Sequence, residues 1–269
     1  MERAEGTHAA ADSRGVMILA VAYGLVCHLA FGVAVAAMIV VLFSGMTLGL
    51  GRLQAPWSWI ADAVLLLQFP VLHTALLSRR GMAMLRRIVP GTAGAPLLST
   101  TYALIASLQT GALFLGWTPS HHMLWQARGA FLIAFEIAYT AAWLVLGKAI
   151  LDAGADLQTG FLGWWAVVRG RLPVYPSMPT RGLFRWCRQP IYFGFALTLW
   201  TVPTITPDGL AVALVLTGYC LIGPLFKEAR FSRRFGDRFA AYRAGTPYWL
   251  PWPRRRRTVI AERVDAPAE

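Results

Sequence analysis

The sequence predicts an all-α, polytopic membrane bundle of about six transmembrane helices, with a cytoplasmic amphipathic helix near the C-terminus. Three observations predict it. Only 14% of the 269 residues are charged and 57% are hydrophobic, with 11 Trp and 14 Phe, whereas soluble domains carry about 25% charge. Stretches free of Asp, Glu, Lys and Arg recur along the chain, and the arginines gather between them. That much apolar surface excludes disorder. The net charge of +12 does not point to nucleic acid, because such a partner needs its basic residues spread over a polar, soluble face.

A bilayer core of ~30 Å takes roughly 20 apolar residues as helix, and six stretches qualify. No formally charged residue lies between Arg14 and Arg52, so Met17 to Phe43 supplies the first span. It is too long for the apolar part of a cleavable signal peptide, about 7–15 residues. The second span, Ala61 to Leu77, carries Pro70 near its middle, which removes a backbone donor and favours a kink. The third runs from Pro96 to Trp117, and the fourth from Gly129 to Gly147 with Glu136 inside it. The fifth runs from Pro190 to Thr206 and the sixth from Gly209 to Phe226. Only Pro207-Asp208 separates those two, which predicts a tight antiparallel hairpin.

Orientation follows from Lys and Arg in the short loops. With the N-terminus cytoplasmic, all but two of the 25 Lys and Arg, Arg52 and Arg128, fall on the cytoplasmic side. Both termini are therefore expected on the cytoplasmic side of the membrane. Three regions are expected: a tail over 1–16, a membrane domain over 17–253 with its ligand pocket built from about 169–253, and a basic, unstructured tail over 254–269. In the cytoplasmic segment 227–242, Phe231, Phe235, Phe239 and Tyr242 recur at helical spacing among Arg233, Arg234, Asp237 and Arg238, a pattern suited to lying along headgroups. The run Arg254 to Arg257 is expected to be attracted to anionic lipid.

Among chemistry-bearing residues, Cys27, Cys187 and Cys220 have no metal-ligand or redox spacing, and structural roles are expected. His121-His122 reads as a surface pair, and no metal site is expected. His28 and His73 fall inside spans, where a ring is either hydrogen-bonded to a neighbour or functional. Glu136 is expected as a buried, hydrogen-bonded carboxyl. The richest stretch runs from Gly182 to Gly194. Pro190 suits the first position of a helix, whose free N–H groups would form an anion site. Arg188 adds positive charge, Tyr192 an aromatic wall, and Gly194 allows close approach of a backbone or ligand. After the hairpin folds back, Lys227 and Glu228 return to the same level. The residues suit a zwitterionic ligand held at both ends; the alternative is a plain ion pair between Arg188 and Glu228.

Segments 182–194 and 228–251 resemble the integral-membrane methyltransferases of the isoprenylcysteine carboxyl methyltransferase superfamily. Within it the likeness is strongest to the bacterial methanethiol S-methyltransferases. It extends from about Leu65 to Pro251 through Leu72-His73-Thr74, the run Arg169 to Tyr175, the 182–194 motif, the run Trp200 to Thr206, Phe235-Gly236-Asp237, Tyr242-Arg243 and Pro247. The resemblance implies S-adenosylmethionine as cofactor, bound at the cytoplasmic mouth of the bundle through Arg188, Gln189, Pro190, Tyr192, Gly194 and Glu228, with Tyr175, Tyr242 and Arg243 contributing. Two positions depart from the family pattern: Gln189 stands for His, and Lys227 for the first residue of a Glu pair.

On this reading the enzyme aligns a sulfonium methyl with a small thiol, converting methanethiol to dimethyl sulfide. Glu228 and Arg188 grip the two ends of the methionine moiety, Tyr192 or Trp186 faces the sulfonium, and His73 lines the path of an apolar thiol arriving from the bilayer. The competing readings are a lipid or isoprenylcysteine-type methyltransferase, a haem-binding protein of the NnrU type using His73 or His28, and a non-catalytic membrane relative. The expected partners are a thiol or lipid substrate and membrane lipids.

Overall fold

The computed structural model describes residues 2–88 and 94–250, so the basic run 254–257 and the tail 254–269 lie outside the described residues. The uncharged stretches fold as helices because no backbone group can stay unpaired in hydrocarbon. In order they are α1 (Glu2–Phe43), α2 (Trp57–Leu76), α3 (Arg79–Ile88), α4 (Leu98–Gly116), α5 (Ala130–Gln158), α6 (Phe161–Val168), α7 (Pro190–Trp200) and α8 (Pro207–Gly245). A 3-10 turn, Gly182–Arg185, precedes α7. The fold is thus an all-α membrane bundle, and α2 passes through Pro70 without a break. Within α1 the segment Arg14–Phe43 is long and apolar enough to cross a membrane, as are α2, α4, α5 and α8.

Two of the expected spans need correction. The fifth span does not reach Thr206: α7 ends at Trp200 after 11 residues, about 16 Å of helix. The stop is Pro203, which disfavours helical geometry at the residue before it. The chain continues as β1–β2, a minimal antiparallel pair of Trp125–Gln126 (β1) with Thr204–Ile205 (β2). The hairpin link is therefore residues 201–206, and Pro207-Asp208 open α8. The sixth span and the amphipathic helix, expected as separate elements, are one helix. α8 carries the chain from Pro207 past Phe226 and bends only at Gly236, where φ is 48°. That continuity ties the charged residues 227–234 rigidly to the apolar span below them.

The main core joins α1, α2, α4, α5, α7 and α8 through residues such as Met38, Leu66, Phe114, Tyr139, Leu199 and Leu216. A second cluster of Leu76, Leu85 and Leu98 seats α3 on the ends of α2 and α4. Helix α1 packs along α4, and α5 along α7. The latter contact explains Gly194: a Cβ there would stand 2.9 Å from Leu146 Cα on α5. Gly194 serves helix packing, the backbone alternative of the two that its size allows.

Glu136 is exposed on α5, contrary to the buried carboxyl expected; it lies on a face the bundle leaves uncovered. His28 is half-buried and accepts a hydrogen bond from Trp164 Nε1 at 3.1 Å. His121 and His122 are exposed. All three cysteines are buried and free.

Candidate functional site

The stretch 182–194 is held from both ends. Gly182 has φ +58° and a side-chain position that Asp152 of α5 occupies. Asp152 Oδ2 accepts from Leu183 N at 2.8 Å and its other oxygen pairs with Lys148. Gly182→Ala combines left-handed strain of about 1–2 kcal/mol with an overlap on that carboxylate. It is expected to lower the unfolding temperature and displace the turn, whereas Gly170→Ala, at φ +61° with open space around it, reports the strain alone.

Beyond the turn, Arg188, Gln189, Lys227 and Glu228 form one network. Arg188 Nε donates to Glu228 Oε1 at 2.8 Å and Nη2 to Oε2 at 3.4 Å. Gln189 Nε2 donates to the same Oε1 at 2.8 Å, and Lys227 Nζ donates to Gln189 Oε1 at 3.1 Å. The two positions that depart from the family pattern therefore touch each other, with Gln189 relaying between a cation and an anion. Arg188 and Glu228 are buried, at 9% and 8% exposure. The Arg188 guanidinium also donates through Nη1 to the carbonyls of Arg243, at 3.1 Å, and Thr246, at 2.5 Å. Its backbone N–H bonds Pro247 O at 2.9 Å, and its guanidinium lies 5.4 Å from the Tyr248 ring centre. All three guanidinium nitrogens are thus turned to the protein's own acceptors, which is the ion-pair alternative, extended into a clasp on the returning C-terminal segment.

Gln189 is the residue preceding α7 and Pro190 is its first residue. Glu228, bonded to Gln189, is the protein's own anion near this helix start, an arrangement the helix dipole favours. Tyr242 Oη donates to Phe184 O at 2.6 Å, pinning α8 onto the 3-10 turn. Arg243 joins through its carbonyl, its side chain being exposed. Tyr175 is exposed, on the stretch between α6 and the turn, where Arg86 and Arg234 oppose the upward push of burial on its pKa. Trp186 is 57% exposed and forms no wall of the network; Tyr192 does. Burial pushes the Cys187 thiol up, only partly offset by the Gln189 backbone and Lys227.

Lys227 Nζ lies 5.4, 5.9 and 5.5 Å from the ring centres of Phe184, Tyr192 and Phe231. Tyr192 then leads into a second cluster inside the bundle. Its ring is 6.2 Å from Tyr219, and Tyr219 is 6.4 Å from His73. His73 stacks on Phe69 at 4.9 Å and meets Tyr102 at 5.0 Å. Its carbonyl accepts from Tyr102 Oη, but its Nδ1 is buried without a hydrogen-bond partner. Leaving a buried polar nitrogen unmet costs about 1–3 kcal/mol, and a catalytic role is one of the explanations for such an atom. Four helices, α2, α4, α7 and α8, supply this cluster. Sequence reasoning singled out His73 and Tyr192 but missed Phe69, Tyr102 and Tyr219, whose only local signal is an aromatic side chain within an apolar run.

The chain is similar over most of its length to curated proteins of one kind. It is 28% identical over 201 residues to a methanethiol S-methyltransferase of Mycobacterium tuberculosis, covering 73% of this chain and 79% of that protein. It is 25% identical over 247 residues to methanethiol S-methyltransferase 1 of Bradyrhizobium diazoefficiens, covering 90% and 85%. The chain is similar to the methanethiol S-methyltransferases. A more distant likeness, 27% identity over 176 residues covering 62% of this chain and 68% of the other, is to a Nurim homolog of Drosophila melanogaster. No family model and no solved structure matches the chain. The similarity to the methanethiol S-methyltransferases agrees with the family resemblance read from the 182–194 and 228–251 segments.

Proposed function

We propose that this membrane protein is a methyltransferase that moves a methyl group from S-adenosylmethionine to the sulfur of a small thiol, converting methanethiol to dimethyl sulfide. The observation that carries the reading is one continuous path of side chains. It runs from the charged network of Lys227, Gln189 and Glu228, through Tyr192, to the aromatic cluster around the unmet His73 Nδ1. The charge distribution supports a site facing the cytoplasm, with both termini on that side.

The residues fit a sulfonium amino acid. Glu228 Oε2 has only a long bond to Arg188 and retains capacity for an ammonium group. Lys227, a point charge with three donors, has one of them on Gln189 and suits a carboxylate. Arg188, whose donors are spent on the protein, positions Glu228 and the 243–247 segment instead of gripping the ligand. S-adenosylmethionine, when bound, supplies an electrophilic methyl on a sulfonium sulfur. The aromatic faces of Tyr192 and Tyr219 favour positive charge nearby and exclude water. The thiol must lose its proton to become a good nucleophile, and His73 Nδ1 is the acceptor we assign for that proton. A small apolar thiol reaches the cluster from the bilayer by partition.

The test is incubation of membranes containing the full chain with methyl-labelled S-adenosylmethionine and methanethiol, with the headspace assayed for labelled dimethyl sulfide. Label recovered in phospholipid with none in dimethyl sulfide supports the lipid-methylating reading instead. His73→Ala is expected to lower turnover by about 10²–10⁴-fold with donor affinity unchanged. The loss should shrink as pH approaches the thiol's own pKa, and a loss independent of pH removes the proton-acceptor role.

A further inference from the structure

A cleft of about 840 Å³ opens between the end of α2, the start of α3 and the middle of α8, and Arg79, Arg230, Arg233 and Arg234 converge on it. No residue of the Arg188–Glu228 network lines it, though it borders the aromatic cluster, Thr74 on its wall donating to Tyr219 Oη at 3.5 Å. Leu77 and Phe226 stand among its apolar walls, and among the described residues no Asp or Glu lines it. Among the described residues none of these four arginines forms an ion pair. Arg230 is half-buried, and residues 230, 233 and 234 fall on one helix face by their spacing. Four like charges gathered on a partly apolar recess repel one another unless an anion sits among them.

The position of the cleft narrows the chemistry. Helix α2 ends at Leu76 and the uncharged part of α8 ends at Phe226, so the recess straddles the boundary between apolar span and charged end. Its occupant needs an apolar part to lie against Leu77 and Phe226, and an anionic group for the guanidiniums. Arginine forks match phosphate oxygens in pairs. We infer that this cleft is a binding site for an anionic phospholipid, its phosphate held by Arg79, Arg230 and Arg233 and its chains along the α2–α8 groove.

The experiment uses the full chain in nanodiscs of phosphatidylcholine with and without phosphatidylglycerol. Thermal unfolding is measured in both, and retained lipid is counted by native mass spectrometry. Phosphatidylglycerol is expected to raise the unfolding temperature and remain bound to the unaltered protein. The variant Arg230→Gln with Arg233→Gln should lose retention by roughly tenfold or more for each guanidinium removed. The variant Arg86→Gln with Arg87→Gln, which removes equal charge from α3 outside the cleft, should retain the lipid. Arg79→Gln repeats the test from the α3 wall if the α8 pair does not fold in pure phosphatidylcholine. Equal retention by all variants, or equal loss from the cleft and the control pairs, overturns the site in favour of diffuse attraction. Stabilisation by inorganic phosphate matching that by phosphatidylglycerol overturns the lipid assignment.

Discussion

Glu228→Gln is expected to cut S-adenosylmethionine affinity by about ten- to a hundredfold, the range for losing a charge-assisted hydrogen bond. It should also lower stability by on the order of 3 kcal/mol, because it leaves the buried Arg188 guanidinium without its anion. The two effects separate with a second substitution. Adding Arg188→Gln removes the stranded charge, so stability should recover in part while donor affinity does not. Calorimetry of donor binding and thermal unfolding of both variants provide the check. If the double variant regains affinity together with stability, Glu228 is only a structural partner of Arg188, and the ammonium-binding role is lost.

The second large effect is expected at Lys227. In Lys227→Glu a carboxylate replaces the ammonium beside Gln189 Oε1, an acceptor it cannot bond, and stands next to Glu228 in sequence and in the network. Like charges held together in a buried place are destabilising. The single variant should therefore fold less stably and bind the donor's carboxylate poorly. Adding Gln189→His supplies a ring that donates when protonated, and should recover stability at low pH more than at high pH. That recovery follows from the sign of the linkage: a His gaining an anionic partner has its folded pKa raised, and its stabilisation is lost as pH rises through that value. Unfolding curves of the single and double variants across the neutral range measure it. Additive losses in the double variant would show that positions 189 and 227 act independently, despite the 3.1 Å contact between them.

Much of the fold was legible without coordinates, but unevenly. The limits of α2 and α4 fell within a few residues of those expected, because an uncharged run long enough to cross a bilayer leaves the backbone no alternative to helix. The short α7 was not legible. Hydropathy continues through Val202, so the local signal of Pro203 was outweighed, and the pairing of Thr204–Ile205 with Trp125–Gln126, distant in sequence, was hidden. Glu136 misled for a related reason: a carboxyl within a span implies the bundle interior only when that helix face is covered, and the α5 face carrying it is not.

Within the site, residue types were legible and their partners were not. Arg188, Gln189, Glu228 and His73 stand out in the linear chain because ionisable or polar groups beside apolar runs are costly to bury. Which of them meet depends on how α8 returns to α7, a property of packing alone.

The linear chain by itself determined that this is a helical membrane protein, where its spans lie and which polar residues need explaining, because partition between water and hydrocarbon is decided segment by segment. Only the tertiary structure decided that Arg188 spends its donors on groups 40 and 58 positions away. It alone left His73 Nδ1 unmet inside a ring of aromatics drawn from four helices. The physical reason is that hydrogen-bond satisfaction in a buried site depends on directions and distances between helices, and no local pattern of residues encodes those.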